Sequence, residues 1–356
     1  MTFDLSSLGW DDEFASAYGR FDRPDQRPAR VTRVDRGVCS VISDEGAVRA
    51  SLGGCVLAAA AHDAVHLPCA GDWVVLRLWP DDRITIEALL PRRTAVVRAS
   101  AGNEASAQVL AANVDAAAVI EPIDPEPDLG RIERLLALAW ESGAQPLVVL
   151  TKTDRAADPD AIAKEVAGVA PGVAVHGVSA TTGAGLPSLR PYVAPGRTLG
   201  LLGRSGAGKS TLVNALAGAT VMGTQAVRGT DDKGRHTTTY RALVPVPGGG
   251  AVLDTPGLRG VGLFDSAEGL GRAFVDIESL ARICRFPDCG HNGEPGCAVA
   301  AALVAGELTR RRFESWQRLR HELAHEMRRH VAHLAADENQ RRRRIRREQR
   351  LRGIRP

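Results

Sequence analysis

The stretch GRSGAGKS, residues 203–210, matches the phosphate-binding template G-x-x-x-x-G-K-[ST]. The apolar run TLGLL precedes it and TLVNALAG follows, so the sequence predicts a strand, a glycine-rich loop and a helix in that order. Backbone N–H groups of such a loop surround phosphate oxygens, Lys209 reaches the terminal phosphates, and Ser210 can hold Mg²⁺. The sequence therefore predicts a nucleotide site whose contacts are Gly203, Arg204, Ser205, Gly206, Ala207, Gly208, Lys209, Ser210 and Thr211.

Two further motifs indicate that the nucleotide is GTP. In VLDTPG, residues 252–257, Asp254 ends an apolar strand, where its carboxylate can bind a Mg²⁺-coordinated water. Gly257 can offer its backbone N–H to the γ-phosphate, as the switch glycine of a GTPase does. An ABC-type ATPase would carry an LSGGQ-like signature, and the sequence contains none.

The stretch LVVLTKTD, residues 147–154, is the candidate base-reading loop. Asp154 at the end of an apolar strand can accept hydrogen bonds from the guanine N1–H and N2–H₂, a donor pair that adenine lacks. Lys152 would lay its alkyl stem along the base. Thr151 stands where Asn is commoner in GTPases, which weakens the match. The predicted base contacts are Thr151, Lys152, Thr153 and Asp154, with Ser179 and Ala180 of VSA closing the pocket.

The order of these motifs differs from that of an ordinary GTPase, in which the phosphate loop precedes the base-reading loop. Strands and helices alternate from Val114 onward, which predicts a largely parallel sheet covered on both faces. Such a sheet keeps its arrangement if the chain is cut after DTPG and the old ends are joined through 181–200. The sequence therefore predicts a circularly permuted GTPase, whose DTPG switch leads directly into the C-terminal domain.

The segment GTDDKGRHTTTY, residues 229–240, is interpreted as a mobile switch loop. One of its three threonines would coordinate Mg²⁺ together with Ser210 and Asp254, and we assign Thr238 as that ligand. Leu258 follows DTPG where a small GTPase has a glutamine, so another residue must orient the catalytic water. His236 is the candidate catalytic group, and a solvated loop histidine is the alternative.

A cysteine-rich segment, CRFPDCGHNGEPGC, follows the GTPase motifs. Three thiolates and one imidazole form a complete tetrahedral set for structural zinc and leave no position open for catalysis. Unligated cysteines are the alternative interpretation. The predicted ligands are Cys284, Cys289, His291 and Cys297.

Short alternating strands, such as ARVTRVDRGVCSVIS and GDWVVLRL, precede the GTPase motifs and predict a small OB-type β-barrel. The fold class is thus an α/β P-loop GTPase domain with an N-terminal barrel and a C-terminal helical zinc-binding domain. The predicted units are a flexible extension over 1–28, the barrel over 29–92, the GTPase domain over 93–264, the zinc-binding domain over 265–335, and an Arg-rich tail over 336–356.

The net charge of +3 conceals a basic C-terminal end: Thr309–Pro356 contains sixteen Arg against six acidic residues. This asymmetry favours a polyanion partner, RNA above all, over a merely solvated charge run. HELAH, residues 321–325, matches a zinc-protease template, but the basic amphipathic helix around it favours two histidines on a basic face. With no signal peptide and no apolar run long enough for a membrane span, we expect a cytoplasmic monomer.

In these motifs the chain resembles the ribosome small subunit-dependent GTPase A proteins, circularly permuted GTPases of bacterial ribosome assembly. The resemblance covers about residues 30–335 and includes AGDWVVL, LPRRTAVVRAS, QVLAANVD, TKTD, GRSGAGKS, GRHTTT, DTPGLR and CRFPDCGHNGEPGC. It implies GTP hydrolysis stimulated by the small ribosomal subunit and its rRNA, a role in late subunit maturation, one structural zinc, Mg²⁺ with GTP, and a catalytic His236.

Two rival functions remain open from the residues. One is a GTP-dependent switch that acts on a non-ribosomal RNA or protein partner. The other is a non-catalytic RNA-binding zinc protein, which would keep its function without Lys209.

Overall fold

The computed structural model describes residues 3–99, 107–223, 241–255 and 267–329. Residues 3–25 fold as an ordered segment around the helix α1 (Asp12–Tyr18), where the sequence analysis predicted a flexible extension over 1–28. Leu8, Phe14 and Tyr18 are buried, and the Trp10 ring meets that of Trp73 at 4.9 Å between centroids. The prediction failed because apolar residues that pack against other domains need no periodicity of their own.

Five strands form the barrel that follows. Their order is β1-β2-β3-β5-β4, and pairing of β1 with β4 closes the sheet, which confirms the predicted OB-type barrel. A helix, α2 (Gly54–His62), connects β3 to β4 and was not predicted, because its alanine-rich sequence has no amphipathic stripe. The strands are β1 (Gln26–Asp35), β2 (Val38–Ser43), β3 (Gly46–Leu52), β4 (Trp73–Leu78) and β5 (Ile84–Leu89).

A two-stranded hairpin, β6 (Ala95–Ala99) with β7 (Ala107–Ala112), links the barrel to the GTPase domain. The elements of that domain then alternate as the sequence predicts. They are β8 (Ala116–Pro122), α3 (Leu129–Glu141), β9 (Gln145–Thr151), α4 (Pro159–Gly168), β10 (Ala174–Val178), β11 (Thr198–Leu202), α5 (Lys209–Ala217), β12 (Ala242–Pro245) and β13 (Ala251–Asp254).

The strand order of the GTPase domain is β10-β9-β8-β11-β13-β12. The first five strands are parallel and β12 is antiparallel. β11, which leads into the phosphate loop, lies between β8 and β13, although ten strands precede it in the described part of the chain. Base-reading strands therefore come first in sequence while the phosphate strand stays central in space, as circular permutation requires.

One buried side chain joins the N-terminal segment, the barrel and the GTPase sheet. Arg30 of β1 is 1% exposed and donates hydrogen bonds to Thr198 Oγ1 at 2.8 Å, to the Asn113 carbonyl at 2.8 Å and to the Leu8 carbonyl. Burial lowers the pKa of Arg30 to about 10, so the guanidinium keeps its charge at neutral pH. The uncharged oxygen atoms that accept these hydrogen bonds come from three parts of the chain, so Arg30 holds those parts together.

The C-terminal domain is helical, as predicted, and packs on α3. Its helices are α6 (Ala267–Ala273), α7 (Val275–Arg282), α8 (Ala298–Ala305) and α9 (310–329). α6 crosses α3 so closely that a Cβ on Gly269 would come within 2.2 Å of the Ala137 carbonyl oxygen. Buried residues of the GTPase sheet, α3 and α9 belong to one hydrophobic cluster, so the two domains share a core.

A buried ion network holds α9 against α3. Arg312, 3% exposed, donates to Glu133 Oε1 at 2.9 Å and to Asp276 Oδ1 at 2.7 Å, and it also bonds the Ala273 carbonyl. Removing one partner of such a network strands the other charge in the interior, which costs about 3–5 kcal/mol. The exact domain boundaries remain predictions. Within the described residues, no helix is both long and apolar enough to cross a membrane.

Candidate functional site

The predicted phosphate loop occupies the turn between β11 and α5, at the carboxyl end of the central strands. In an open parallel sheet this edge is where ligands bind. Gly203 lies so close to β8 that a Cβ there would come within 2.5 Å of the Ile120 carbonyl oxygen. Gly208 adopts a φ of +91°, which favours glycine. The glycines of the motif are therefore required by the path of the loop.

Lys209 is held inside the loop that precedes it. Its side chain is buried, and Nζ donates to the Gly203 carbonyl at 2.8 Å and to the Arg204 carbonyl at 3.0 Å. Burial lowers the pKa of Lys209, while the charge of Asp254 opposes that shift. The ammonium group is thus held against two carbonyl oxygens at the start of the phosphate loop.

Asp254 ends β13 beside the first turn of α5. Ser210 Oγ donates to Asp254 Oδ2 at 3.4 Å, whereas Oδ1 is buried with no hydrogen-bond partner among the described residues. Burial raises the pKa of Asp254, and Lys209 and Ser210 lower it. A buried carboxylate oxygen without a partner is costly in a finished fold, so this oxygen is available to a ligand.

The base-reading loop follows β9 and lies next to the phosphate loop. Thr151 is 3% exposed, and its Oγ1 donates to the Ala207 carbonyl at 2.6 Å. Lys152 adopts a left-handed conformation with φ of +61°, while Asp154 is exposed. Ser179 is buried and accepts the Thr182 N–H at 3.2 Å, which closes the turn after β10. The structure thus brings the predicted base and phosphate contacts to one edge.

Thr151 has a role that the sequence did not reveal. Its hydroxyl ties the base-reading loop directly to the phosphate loop. Only the fold could show this link, because Thr151 and Ala207 are distant in sequence.

We expect Thr151→Val to weaken GTP binding by up to about tenfold, because a net intramolecular hydrogen bond contributes about 0.5–1.5 kcal/mol. The measurement is a fluorescent-nucleotide titration of both proteins. Thr32→Val is the matched control, since Thr32 Oγ1 also donates to a backbone carbonyl, that of Ser40 at 3.0 Å, but within the barrel. Equal losses in the two variants would show that the Thr151 bond has no specific effect on the nucleotide.

The cysteine-rich segment lies between α7 and α8 and gathers its four predicted ligands. The candidate ligand atoms of Cys284, Cys289, His291 and Cys297 all lie within 4.8 Å of one another. Cys284 Sγ is 4.0 Å from Cys297 Sγ, and each of these sulfurs is 3.6 Å from His291 Nδ1. Tetrahedral zinc requires separations of about 3.8 Å for two sulfurs and about 3.6 Å for sulfur and nitrogen. The cluster therefore has the composition and geometry of a structural zinc site.

Neighbouring residues fix the ligands of this cluster. Glu294, which the sequence analysis did not single out, accepts the Asn292 N–H at 2.7 Å and the Gly290 N–H at 3.0 Å. Cys297 caps α8, because its Sγ accepts the Ala300 N–H at 3.3 Å. The His291 ring packs against Trp316 of α9 at 5.6 Å between centroids. These contacts orient the ligand set, as outer contacts of metal sites do.

Some predicted residues lie outside the part of the chain that the structure describes. They are His236, Thr238, Gly257 and the Arg-rich tail over 336–356. Their assignments stay predictions.

A family profile described as RsgA GTPase matches residues 89–264, which span the permuted motifs. The Small ribosomal subunit biogenesis GTPase RsgA of Streptomyces coelicolor is 50% identical over 321 residues, which are 89% of this chain and 86% of that protein. The chain belongs to the RsgA GTPase family. The protein of the same name from Opitutus terrae is 43% identical over 358 residues, 98% of this chain and 97% of that protein.

Solved structures agree with this assignment. YjeQ from Thermotoga maritima has a TM-score of 0.61 at 26% identity and covers 84% of this chain and 99% of its own. YloQ, described as a circularly permuted GTPase, has a TM-score of 0.58 at 23% identity, with 85% and 96% covered, and supports the fold alone. This RsgA-family chain is therefore a GTP hydrolase with a permuted domain, which confirms the fold class and enzyme type predicted from the sequence and excludes the non-catalytic alternative.

Proposed function

We propose that this GTPase binds the small ribosomal subunit, hydrolyses GTP to GDP and phosphate when the subunit stimulates it, and so assists late subunit maturation. The observation that carries the proposal is 50% identity, over 89% of the chain, to a protein named Small ribosomal subunit biogenesis GTPase. An OB-type barrel beside the GTPase domain supports it, because such barrels commonly bind nucleic acid. This role places the protein in the cytoplasm, where it would act as a monomer on the subunit and its rRNA.

GTP would lie across the carboxyl edge of the sheet. The phosphate loop, Lys209 included, would hold the phosphates, and Asp154 would read guanine beside the stem of Lys152. The bond from Thr151 to the Ala207 carbonyl supports this placement, because it fixes the distance between the base and phosphate contacts. The proposed contacts are those predicted from the sequence, with Gly257 at the γ-phosphate.

Mg²⁺ would bind with the nucleotide at Ser210 and Asp254. The two side chains already meet at 3.4 Å, and Asp254 Oδ1 is a buried acceptor without a partner among the described residues. Hydroxyl and carboxylate oxygens suit this hard cation. Ser210 would contact the metal directly, Asp254 would hold it through a water, and Thr238 would complete the protein ligands. When bound, the ion neutralises charge on the β- and γ-phosphate oxygens.

Hydrolysis would proceed by in-line attack of water on the γ-phosphorus, with cleavage of its bond to the bridging oxygen and departure of GDP. Lys209 and the loop N–H groups would stabilise the charge that shifts onto the leaving oxygen. His236 would orient the attacking water in place of the missing glutamine. We therefore expect slow hydrolysis in the absence of the subunit.

One structural zinc would be held by Cys284, Cys289, His291 and Cys297. The distances among their ligand atoms match a tetrahedral site, and all four positions would be filled by protein. When bound, the metal supplies folding free energy to the segment and no chemistry.

The experiment is GTP hydrolysis with and without purified small ribosomal subunits, for the wild type, His236→Ala and the control His62→Ala, an exposed histidine of α2. We expect strong stimulation in the wild type and the control, and a loss of about 10²–10⁴-fold in His236→Ala. Stimulation that persists in His236→Ala would keep the function and remove His236 as the catalytic group. No stimulation of a protein that still binds GTP would favour a switch that acts on a non-ribosomal partner.

A further inference from the structure

We propose that the outward face of α9 contacts the RNA phosphate backbone of the small subunit. This inference rests on the proposed function, which names the subunit but not the surface that meets it. We call this surface the α9 basic face. It consists of Arg310, Arg318, His321, His325 and Arg328, with Glu314 as its single acidic residue.

The helical period places these side chains together. Successive residues of a helix are rotated by about 100° around its axis. On this basis Arg310, His321 and Arg328 lie within about 20° of one another around the axis, and Arg318 and His325 lie within about 80° of Arg310. All of these residues are exposed. The opposite side of the helix is buried against the core through Arg312, Phe313, Trp316, Leu319 and Leu323.

Acidic residues of α9 offset only part of the positive charge of this face. Glu322 faces α3, where Arg134 Nη2 donates to Glu322 Oε2 at 2.7 Å. Glu326 accepts a hydrogen bond from Arg329 at 3.1 Å and also lies 3.9 Å from Nδ1 of His325, a residue of the face. Arg310, Arg318 and Arg328 themselves have no acidic partner among the described residues. Glu322 and Glu326 are thus paired with Arg134 and Arg329, and Glu314 adds one negative charge among the three guanidinium groups of the face.

The array is also held rigidly. Arg310 and Arg328 are separated by about 27 Å along the helix axis, and Arg318 lies between them. The buried bonds of Arg312 to Glu133 and Asp276 fix the same helix to the GTPase domain. A preorganised row of cations loses little entropy on binding a linear polyanion.

RNA fits this row better than a folded acidic protein does. A nucleic acid offers phosphates along its whole length, and each guanidinium that neutralises one releases a condensed counterion. Guanidinium groups also suit phosphate oxygens, since they can donate two parallel hydrogen bonds. The row carries no apolar centre of the kind that protein interfaces use, because its exposed face is made of Arg and His with one Glu.

The test compares the full-length triple variant R310Q/R318Q/R328Q with a control of equal charge change, R20Q/R190Q/R272Q. The control arginines are exposed and lie outside both α9 and the barrel strands. Affinities for purified small subunits and for a mixed-sequence single-stranded RNA of about 20 nucleotides are measured across a salt series. We expect the slope of log affinity against log salt to fall by about two for the α9 variant on both probes, and to change little in the control.

Unstimulated GTP hydrolysis should be equal in all three proteins, which shows that the fold is intact. A wild type that fails to bind subunits would overturn the proposed function, whereas the RNA comparison would still test the α9 basic face. Equal slopes for the α9 variant and its control on both probes would overturn this inference and leave the proposed function standing. A loss on subunits alone, with unchanged RNA binding, would assign the face to a ribosomal protein and overturn the RNA proposal.

Discussion

Lys209→Ala is expected to reduce GTP hydrolysis by about 10²–10³-fold, the loss that follows removal of one preorganised charge-stabilising donor. GTP affinity should fall as well, by about 10- to 100-fold, because hydrogen bonds to charged groups contribute about 1.5–3 kcal/mol. The side chain is 6% exposed and lies inside the phosphate loop, so no solvent cation can replace it easily.

Single-turnover hydrolysis and nucleotide titration measure the two effects separately. Lys164→Ala is the matched control, since Lys164 is exposed on α4. A folding defect would lower the melting temperature without nucleotide, whereas a lost phosphate contact would reduce the rise in melting temperature that GDP produces. Hydrolysis at the wild-type rate in Lys209→Ala would remove the phosphate role assigned to this residue.

Loss of zinc is expected to unfold the segment between α7 and α8. Metal binding supplies about 10–16 kcal/mol in small structural zinc sites, which is more than the local hydrogen bonds of Glu294 and Cys297 contribute to this segment. Cys297→Ser should therefore bind much less than one zinc per chain and become sensitive to proteolysis between Cys284 and Cys297. Trp316 packs against His291, so its fluorescence should change as well.

The measurements are metal content of the purified protein, limited proteolysis, and tryptophan fluorescence during chelation. Cys55→Ser is the control, because Cys55 is an exposed free cysteine on α2. Nucleotide binding should survive in Cys297→Ser, since the phosphate loop and its strands lie outside the cluster. A wild type that is fully folded without stoichiometric metal would contradict the zinc assignment.

Features encoded by contiguous residues were predictable from the sequence. The phosphate loop, DTPG, TKTD and the cysteine-rich segment each contain their chemistry within a few positions, and their spacing is set by the local backbone. Because each motif must end a strand or begin a helix, their order along the chain also predicted the permuted sheet, which the strand order β10-β9-β8-β11-β13-β12 confirms.

Other features of the fold could not be predicted from the sequence, because they depend on which surfaces pack together in the tertiary structure. The folding of residues 3–25 could not be predicted, because Phe14 and its apolar neighbours are buried by the barrel and the GTPase domain. Arg30 and Arg312 look like ordinary surface arginines in the sequence, yet both are almost fully buried between units of the fold.

By itself the sequence determined the nucleotide chemistry, the fold class and the candidate zinc ligands, because these need only residue types at fixed short spacings. Tertiary structure alone decided that Thr151 joins the two nucleotide loops and that α9 buries Arg312 while it turns Arg310, Arg318 and Arg328 outward. The physical reason is that burial and hydrogen-bond partners are properties of packed surfaces. Thr151 and Ala207 become neighbours only when β9 and β11 take their places in the sheet.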